Sequence, residues 1–179
     1  MMKKILFCCV VFAFFSCSNA QPETVGENIF LEQQVKDFIA AHPDWSTDET
    51  TKSATTDKFK HQVINWSNEP NFLENMPLQL KAIIDTSINE QSLKIAKFNA
   101  YNDKTRIDGS LLNVLQLEIL GIVSPTQIKD LTVGKNYTLS GTLYKQGKRA
   151  AIQFIEVADF KGYHLGKYTF AITAFKNIP

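Results

Sequence analysis

Cysteine is missing from almost the whole chain: all three, Cys8, Cys9 and Cys17, fall within the first 17 of 179 residues. A disulfide scaffold, a thiolate zinc site and a thiol nucleophile are thereby excluded from the chain beyond Cys17. Glycine (8) and proline (6) are scarce, which excludes a collagen-like or low-complexity chain. Charge of one sign is lacking too, since 19 basic residues face 18 acidic ones for a net +1, so neither a polybasic nucleic-acid binder nor a highly charged disordered tail fits. Present instead are 44% hydrophobic residues, enough for one or at most two globular domains.

The one long apolar run lies at the start. Lys3 and Lys4 precede the 11 residues Ile5–Phe15, too short for a bilayer-spanning helix but suited to the hydrophobic part of a signal peptide. The residues after this run are compatible with two cuts. Phe14-Phe15-Ser16-Cys17 resembles a relaxed lipobox of bacterial lipoproteins, with Phe14 where that family usually has Leu. The resemblance implies cleavage after residue 16 and lipid attachment at Cys17. Ser18-Asn19-Ala20 instead suits the ordinary signal peptidase, leaving Gln21 first. The lipoprotein reading is preferred because Cys17 stands at the edge of the apolar run, after small Ser16 and before the polar, linker-like Ser18–Glu23.

Removing Lys3 and Lys4 takes the basic count from 19 to 17 against 18 acids, a net −1 for the remainder, so electrostatic attraction to anionic lipid would not assist the tether. Several acyl chains, each worth about 0.8 kcal/mol per buried CH₂, would hold it without that help. In Gram-negative lipoproteins an Asp after the lipidated Cys retains the protein at the inner membrane; Ser18 stands there, so the resemblance implies the outer membrane. The expected organisation is a signal peptide over 1–16, a tether over 17–28, a helical segment over 29–67 and an antiparallel β domain over 78–179.

Leu31, Val35, Phe38 and Ile39 share one helical stripe, with Glu32, Lys36 and Asp37 off it, which predicts a helix over Ile29–Ala41 capped by Asn28 and stopped by Pro43. Ser46-Thr47-Asp48-Glu49 has the spacing of a capping box, and Phe59, Val63 and Trp66 give a second, narrower stripe ending near Asn65 or Trp66. Three Thr residues weaken its first half. After loop-forming Asn-Glu-Pro-Asn and Asn-Met-Pro the period changes to 2. Leu78, Leu80, Ala82 and Ile84 predict one strand face. Leu93–Tyr101 alternates with a slip between Ile95 and Ala96, attributed to a bulge. Leu115, Leu117, Ile119 and Val123 mark a third strand, and Ser124-Pro125 caps a short helix through Leu131. Tyr137–Tyr144 is a fourth strand, Gln146-Gly147 a tight hairpin turn, Ala150–Val157 the return strand, and Tyr168, Phe170, Ile172 and Ala174 mark a last one.

The fold class read from this order is α+β: two N-terminal helices, then an antiparallel, barrel-like domain of about six strands with one short helix between the third and fourth. Three strands, a helix and two strands is the order of the OB-fold. Over Leu78–Val157 the chain resembles the tRNA-anticodon-binding-like branch of that superfamily, through the 16 residues Ile128–Leu143, with their helix, Leu131, Gly134, strand and Gly141. The strand after Phe160 and the helical segment depart from that pattern.

Residues for chemistry are sparse. His42, His61 and His164 have no partner at the spacing that places two ligands on one helical face, so no metal site and no cofactor is expected. No nucleophile elbow, Walker loop or dinucleotide fingerprint occurs. Asp44, Asp48 and Glu49 form one acidic group; Asp103 and Asp108, around Lys104 and Arg106, form another. The cluster singled out for ligand contact is Tyr144, Lys145, Lys148 and Arg149 on the predicted hairpin with Phe154 beyond it, since the loop between the last two core strands helps form the ligand face of an OB-fold. The expectation is a non-catalytic envelope lipoprotein, bound to the membrane by its lipid and contacting a protein or carbohydrate. The rival expectations are a small hydrolase of envelope polymers using the loop carboxylates, and an oligonucleotide-binding OB module. The near-neutral charge and the envelope address speak against nucleic acid.

Overall fold

Alternating apolar residues and two amphipathic stripes assemble, in the computed structural model, into helices packed on a sheet; it describes residues 28–88, 91–102, 110–157 and 160–178. The signal peptide, Cys17 and the tether up to residue 27 lie outside the described residues, as do Asp103, Lys104, Arg106 and Asp108. The elements are α1 (Phe30–Ala40), α2 (Glu49–Trp66), β1 (Leu78–Ile88), β2 (Gln91–Ala100), β3 (Leu115–Val123), α3 (Pro125–Ile128), β4 (Asn136–Gln146), β5 (Gln153–Val157) and β6 (Phe160–Ile178), with 3₁₀ turns at Leu111–Asn113 and Arg149–Ala151. None of these helices is long and apolar enough to cross a membrane.

The six strands form one sheet in the order β3-β2-β1-β4-β6-β5, and β3 also pairs with β6, so the sheet closes into a ring of β1, β2, β3, β6 and β4 with β5 outside it. The β3–β6 pairing is parallel, which corrects the expectation of an all-antiparallel domain. Parallel neighbours need a long crossover, and here everything from Ser124 to Val157 supplies it.

The interior of the ring is filled. Leu78, Leu80, Phe98, Ile119, Leu139 and Ile172 are buried in one cluster, and a Cβ at Gly121 would come within 2.8 Å of Ile172 and 3.4 Å of Phe98, so glycine is what lets those two side chains meet there. The short helix α3 follows the C-terminal end of β3 as expected, Ser124 and Gln127 forming a reciprocal capping box with Pro125 in the first turn. The opposite end of β3 meets α1: the Leu111 backbone N–H donates to Glu32 Oε1 at 2.8 Å. Leu31, Val35 and Phe38 of α1 and Phe59, Val63 and Trp66 of α2 belong to the same buried cluster as the ring interior, so helices and sheet share one core.

Several local expectations need correction. Ile29, not Asn28, precedes α1, without a side-chain cap. Asp48 caps α2, accepting from Thr51 N–H at 2.9 Å, so the helix starts two residues later than a cap at Ser46 would have it. The bulge lies on β1 at Lys81, where the register passes from Leu80↔Phe98 to Ala82↔Lys97, and β2 runs through Ile95 and Ala96 without one. The extra residue turns Ile83 toward the core and leaves Ile84 45% exposed, inverting the second half of the predicted face.

Gln146-Gly147 is not a hairpin turn. The partner of β4 is the C-terminal half of β6, through ten register pairs, whereas β5 pairs with the N-terminal part of β6. Gly147 does not take a positive φ; a Cβ there would overlap the Lys167 carbonyl, which is the reason it is glycine. The positive φ belongs to Gly166 (96°), where β6 carries an extra residue between His164↔Gln116 and Lys167↔Glu118. That bulge lets one 19-residue strand serve β5 at one end and β4 at the other.

Candidate functional site

The expected ligand cluster is dispersed. Tyr144 is 61% exposed on the outer stretch of β4. Lys145 is exposed beside it, opposite Thr169 of β6. Lys148 and Arg149 lie in the connection to β5, where the Arg149 guanidinium packs against α2, its Nη2 2.9 Å from His61 Nδ1. Phe154 points the other way, into an aromatic cluster beneath α2. Its ring centroid is 4.6 Å from Phe59, 4.3 Å from Trp45 and 5.9 Å from Tyr163. Four of the five side chains are therefore near the surface, and the fifth is buried.

The carboxylates hold the fold together. Asp48 accepts from Thr51 N–H and hydroxyl, and those hydrogen bonds hold its carboxyl below the usual range. Glu32, expected off the α1 stripe, is buried; burial pushes its carboxyl up, but hydrogen bonds from Ser110, Leu111 N–H and Lys36 outweigh that and leave it lowered. The Lys36 side chain one turn on, at 3.2 Å, is the sequence signal that could have placed it. Glu118 stands on the outer face of β3 with Lys97 of β2 at 2.7 Å and Lys167 of β6 at 2.6 Å; burial raises its carboxyl and the two ammonium groups bring it below the usual value. A carboxylate displaced downward stays ionised and makes a poor general acid. Next to this triad His164 is half-buried, and burial lowers its proton affinity despite the Glu118 charge. Among the described residues no group of three or more His, Cys, Asp or Glu is arranged to hold a metal ion.

A concave surface lies elsewhere, where the ring closes between β1 and β4. That seam has two register pairs, Leu78↔Tyr137 and Gln79↔Asn136, prolonged by Leu80 N–H to Lys135 O and Gly134 N–H to Leu80 O. Continuing the register upward, Pro77 turns its carbonyl to Tyr101 N–H on the β2 side, and the next residue that would face β4, Met76, gives its N–H to Leu73 O instead. The chain before Pro77 then bends away. Asn75 takes a φ of 55° and its side-chain amide donates to Asn28 O at 3.0 Å, pinning the start of the helical segment to this corner. The 67–76 loop spends N–H groups on its own turns: Phe72 N–H to Glu69 O, Glu74 N–H to Asn71 O, Met76 N–H to Leu73 O. From Thr138 to Leu143, β4 keeps its ladder to β6 and has no ladder on the other side among the described residues.

Between that edge and the loop runs an open groove. One part, about 450 Å³, lies between Asn71, Leu73 and Glu74 and the stretch Thr138–Gly141. A second, about 310 Å³, continues from Gly141 along Thr142 and Leu143 past Asn68 and Glu69 to Phe170. Gln146 closes the far end, its side-chain amide donating to Ser67 Oγ at 2.9 Å. No residue-type motif could have announced this site, because one wall is backbone. Family models, curated proteins and solved structures were compared with the chain, and none of them matches it.

Proposed function

We propose that this chain is a non-catalytic binding module of the cell envelope, tethered through lipid on Cys17 and exposed toward the periplasm or the surface from the outer membrane. Its ligand surface is the groove between the 67–76 loop and β4. The observation that carries the binding reading is that groove: a concavity walled by unladdered strand backbone and by the 67–76 loop, with the half-buried Leu143 on it. The carboxylates with displaced proton affinity, Glu32, Asp48 and Glu118, each serve as a cap or an ion-pair partner outside it. A protein or carbohydrate partner suits such a surface; concave sites with few fixed polar groups bind by shape and by backbone contact.

An OB-like barrel is the finer fold reading. It is supported by the ring order β1-β2-β3-β6-β4, by the helix between β3 and β4 and by the filled interior. On that reading β6 is the fifth barrel strand, and β5 with the first part of β6 is an added hairpin on which α2 rests.

The address is tested by Cys17→Ser. The expected result is loss of radioactive palmitate labelling and release into the soluble fraction; unchanged membrane association of the variant would contradict lipidation. The groove is tested by Ser140→Trp, which fills it from an exposed position. Crosslinking in intact cells should then lose the envelope component captured by the unaltered protein, while the Lys148→Ala/Arg149→Ala variant should keep it.

A further inference from the structure

We infer that the groove takes an extended peptide strand, which adds to the ring at the free edge of β4 over Thr138–Leu143 and alternates apolar and basic side chains. This rests on the binding-module reading and names the partner's chemistry.

Three observations lead to it. First, the edge of a strand is a template for another strand, and proteins ordinarily cover it, shorten it or charge it. Here the stretch of six residues, about 20 Å long at the usual rise per residue, has no lysine or arginine and no proline. The loop facing it is closed on itself through Glu69 O, Asn71 O and Leu73 O. Second, the space left between loop and edge is continuous through Gly141, which both parts of the groove share. Third, the two faces of an added strand would meet different chemistry. One set of alternate side chains would face the half-buried Leu143, and the other would face Glu69 and Glu74, both exposed on the loop rim. A strand whose side chains alternate, as all strands do, satisfies both walls when one set is apolar and the other cationic.

The ring tolerates this addition because its closure elsewhere does not depend on it. Tyr137 is buried, its hydroxyl accepting from Thr132 N–H at 2.9 Å, so β4 is fixed at its root while the edge above stays open. Gly141 cannot carry a side chain, since a Cβ would overlap the Ala171 carbonyl, which keeps β4 pressed on β6 and leaves the groove side unobstructed.

The test uses a fluorescent, acetylated hexapeptide of alternating Val and Lys, its copy N-methylated at alternate amides, and a Val and Glu counterpart. The first should bind saturably, with slowed amide exchange within Thr138–Leu143. N-methylation, which removes the main-chain donors, should weaken binding at least about tenfold. The Glu69→Gln/Glu74→Gln variant should weaken it several-fold with a shallower salt dependence, and the Val and Glu peptide should not bind. Equal binding of the methylated copy, or exchange protection anywhere other than β4, would overturn strand addition. If no hexapeptide binds while Ser140→Trp still abolishes envelope capture, the groove binds something other than a strand, and only this inference fails. If Ser140→Trp leaves capture intact, the binding-module reading of the groove fails with it. Concentration-dependent dimerisation that Ser140→Trp removes would make a second copy of this chain the occupant and would also overturn a basic partner.

Discussion

The ring is closed at two seams, and they are built to opposite specifications. Between β3 and β6 there are seven register pairs, and the side chains turned inward from them, Leu115, Ile119, Tyr163, Tyr168 and Phe170, are all buried. Between β1 and β4 there are two register pairs, and then proline, a left-handed asparagine and a groove. The first seam removes edges, and burying its inner side chains stabilises the fold at roughly 1.5–3 kcal/mol for each large one. The second leaves an edge where hydrogen-bonding groups remain available. A closed sheet thus keeps its stability in one seam and leaves hydrogen-bonding groups open in the other, where the proposed partner would add.

Substitutions can break that division, beginning with the largest effect. Phe98→Ala, inside the ring against Tyr137 and beneath Gly121, should lower unfolding free energy by about 3–5 kcal/mol in urea titration. Phe154→Ala should cost nearly as much, about 3 kcal/mol, because the ring lies between Trp45 and Phe59; unchanged stability together with lost ligand binding would instead restore it as a contact residue. Glu32→Ala should cost about 1–3 kcal/mol by orphaning the Leu111 N–H and loosening α1 from the start of β3. Smallest of all, Ser140→Lys at the open edge should shift stability by no more than about 0.5 kcal/mol while blocking the groove to a basic strand.

Acid separates the regions further. His164, beside the strong seam, holds its proton less tightly folded than unfolded because it is buried. The unfolded chain therefore binds more protons as pH falls through the ordinary histidine range, and stability present above about 6.5 begins to be lost there. Glu32 and Glu118 hold protons less tightly in the fold as well, so a second loss sets in as pH falls below the usual carboxylate value, about 4.3. Thermal melts of His164→Gln should lack the first decline and keep the second.

How much of this was legible in the sequence depended on whether the deciding partner was local. The β3 alternation and the Ser124-Pro125 cap were readable because neighbours within a few residues settle them. The phase of β1 after Leu80 was not, because the bulge at Lys81 answers to β2, and a slip on either strand produces the same mismatch of apolar sets. Gln146-Gly147 carried the signal of a hairpin, yet β4 pairs with a strand end some thirty residues further on, for which Gly147 leaves room beside Lys167. Of the expected ligand residues, Phe154 was drawn inward by Trp45, Phe38 and Phe59, none of them nearby in sequence. The groove could not be read at all, since its defining atoms are main-chain groups that every residue possesses. Only the Asn75-Met76-Pro77 loop signal, which ends the run of residues able to pair with β4, left a trace of it in the sequence.

Native-state amide exchange resolved along β3 and β4 tests the contrast between the seams most directly. The amides of Gln116–Ile122 should exchange only through global unfolding, whereas within Thr138–Leu143 those turned away from β6 should exchange orders of magnitude faster in the free protein. Uniform protection of Thr138–Leu143 at the level of β3 would mean that this edge is already paired, and the second seam would not be open.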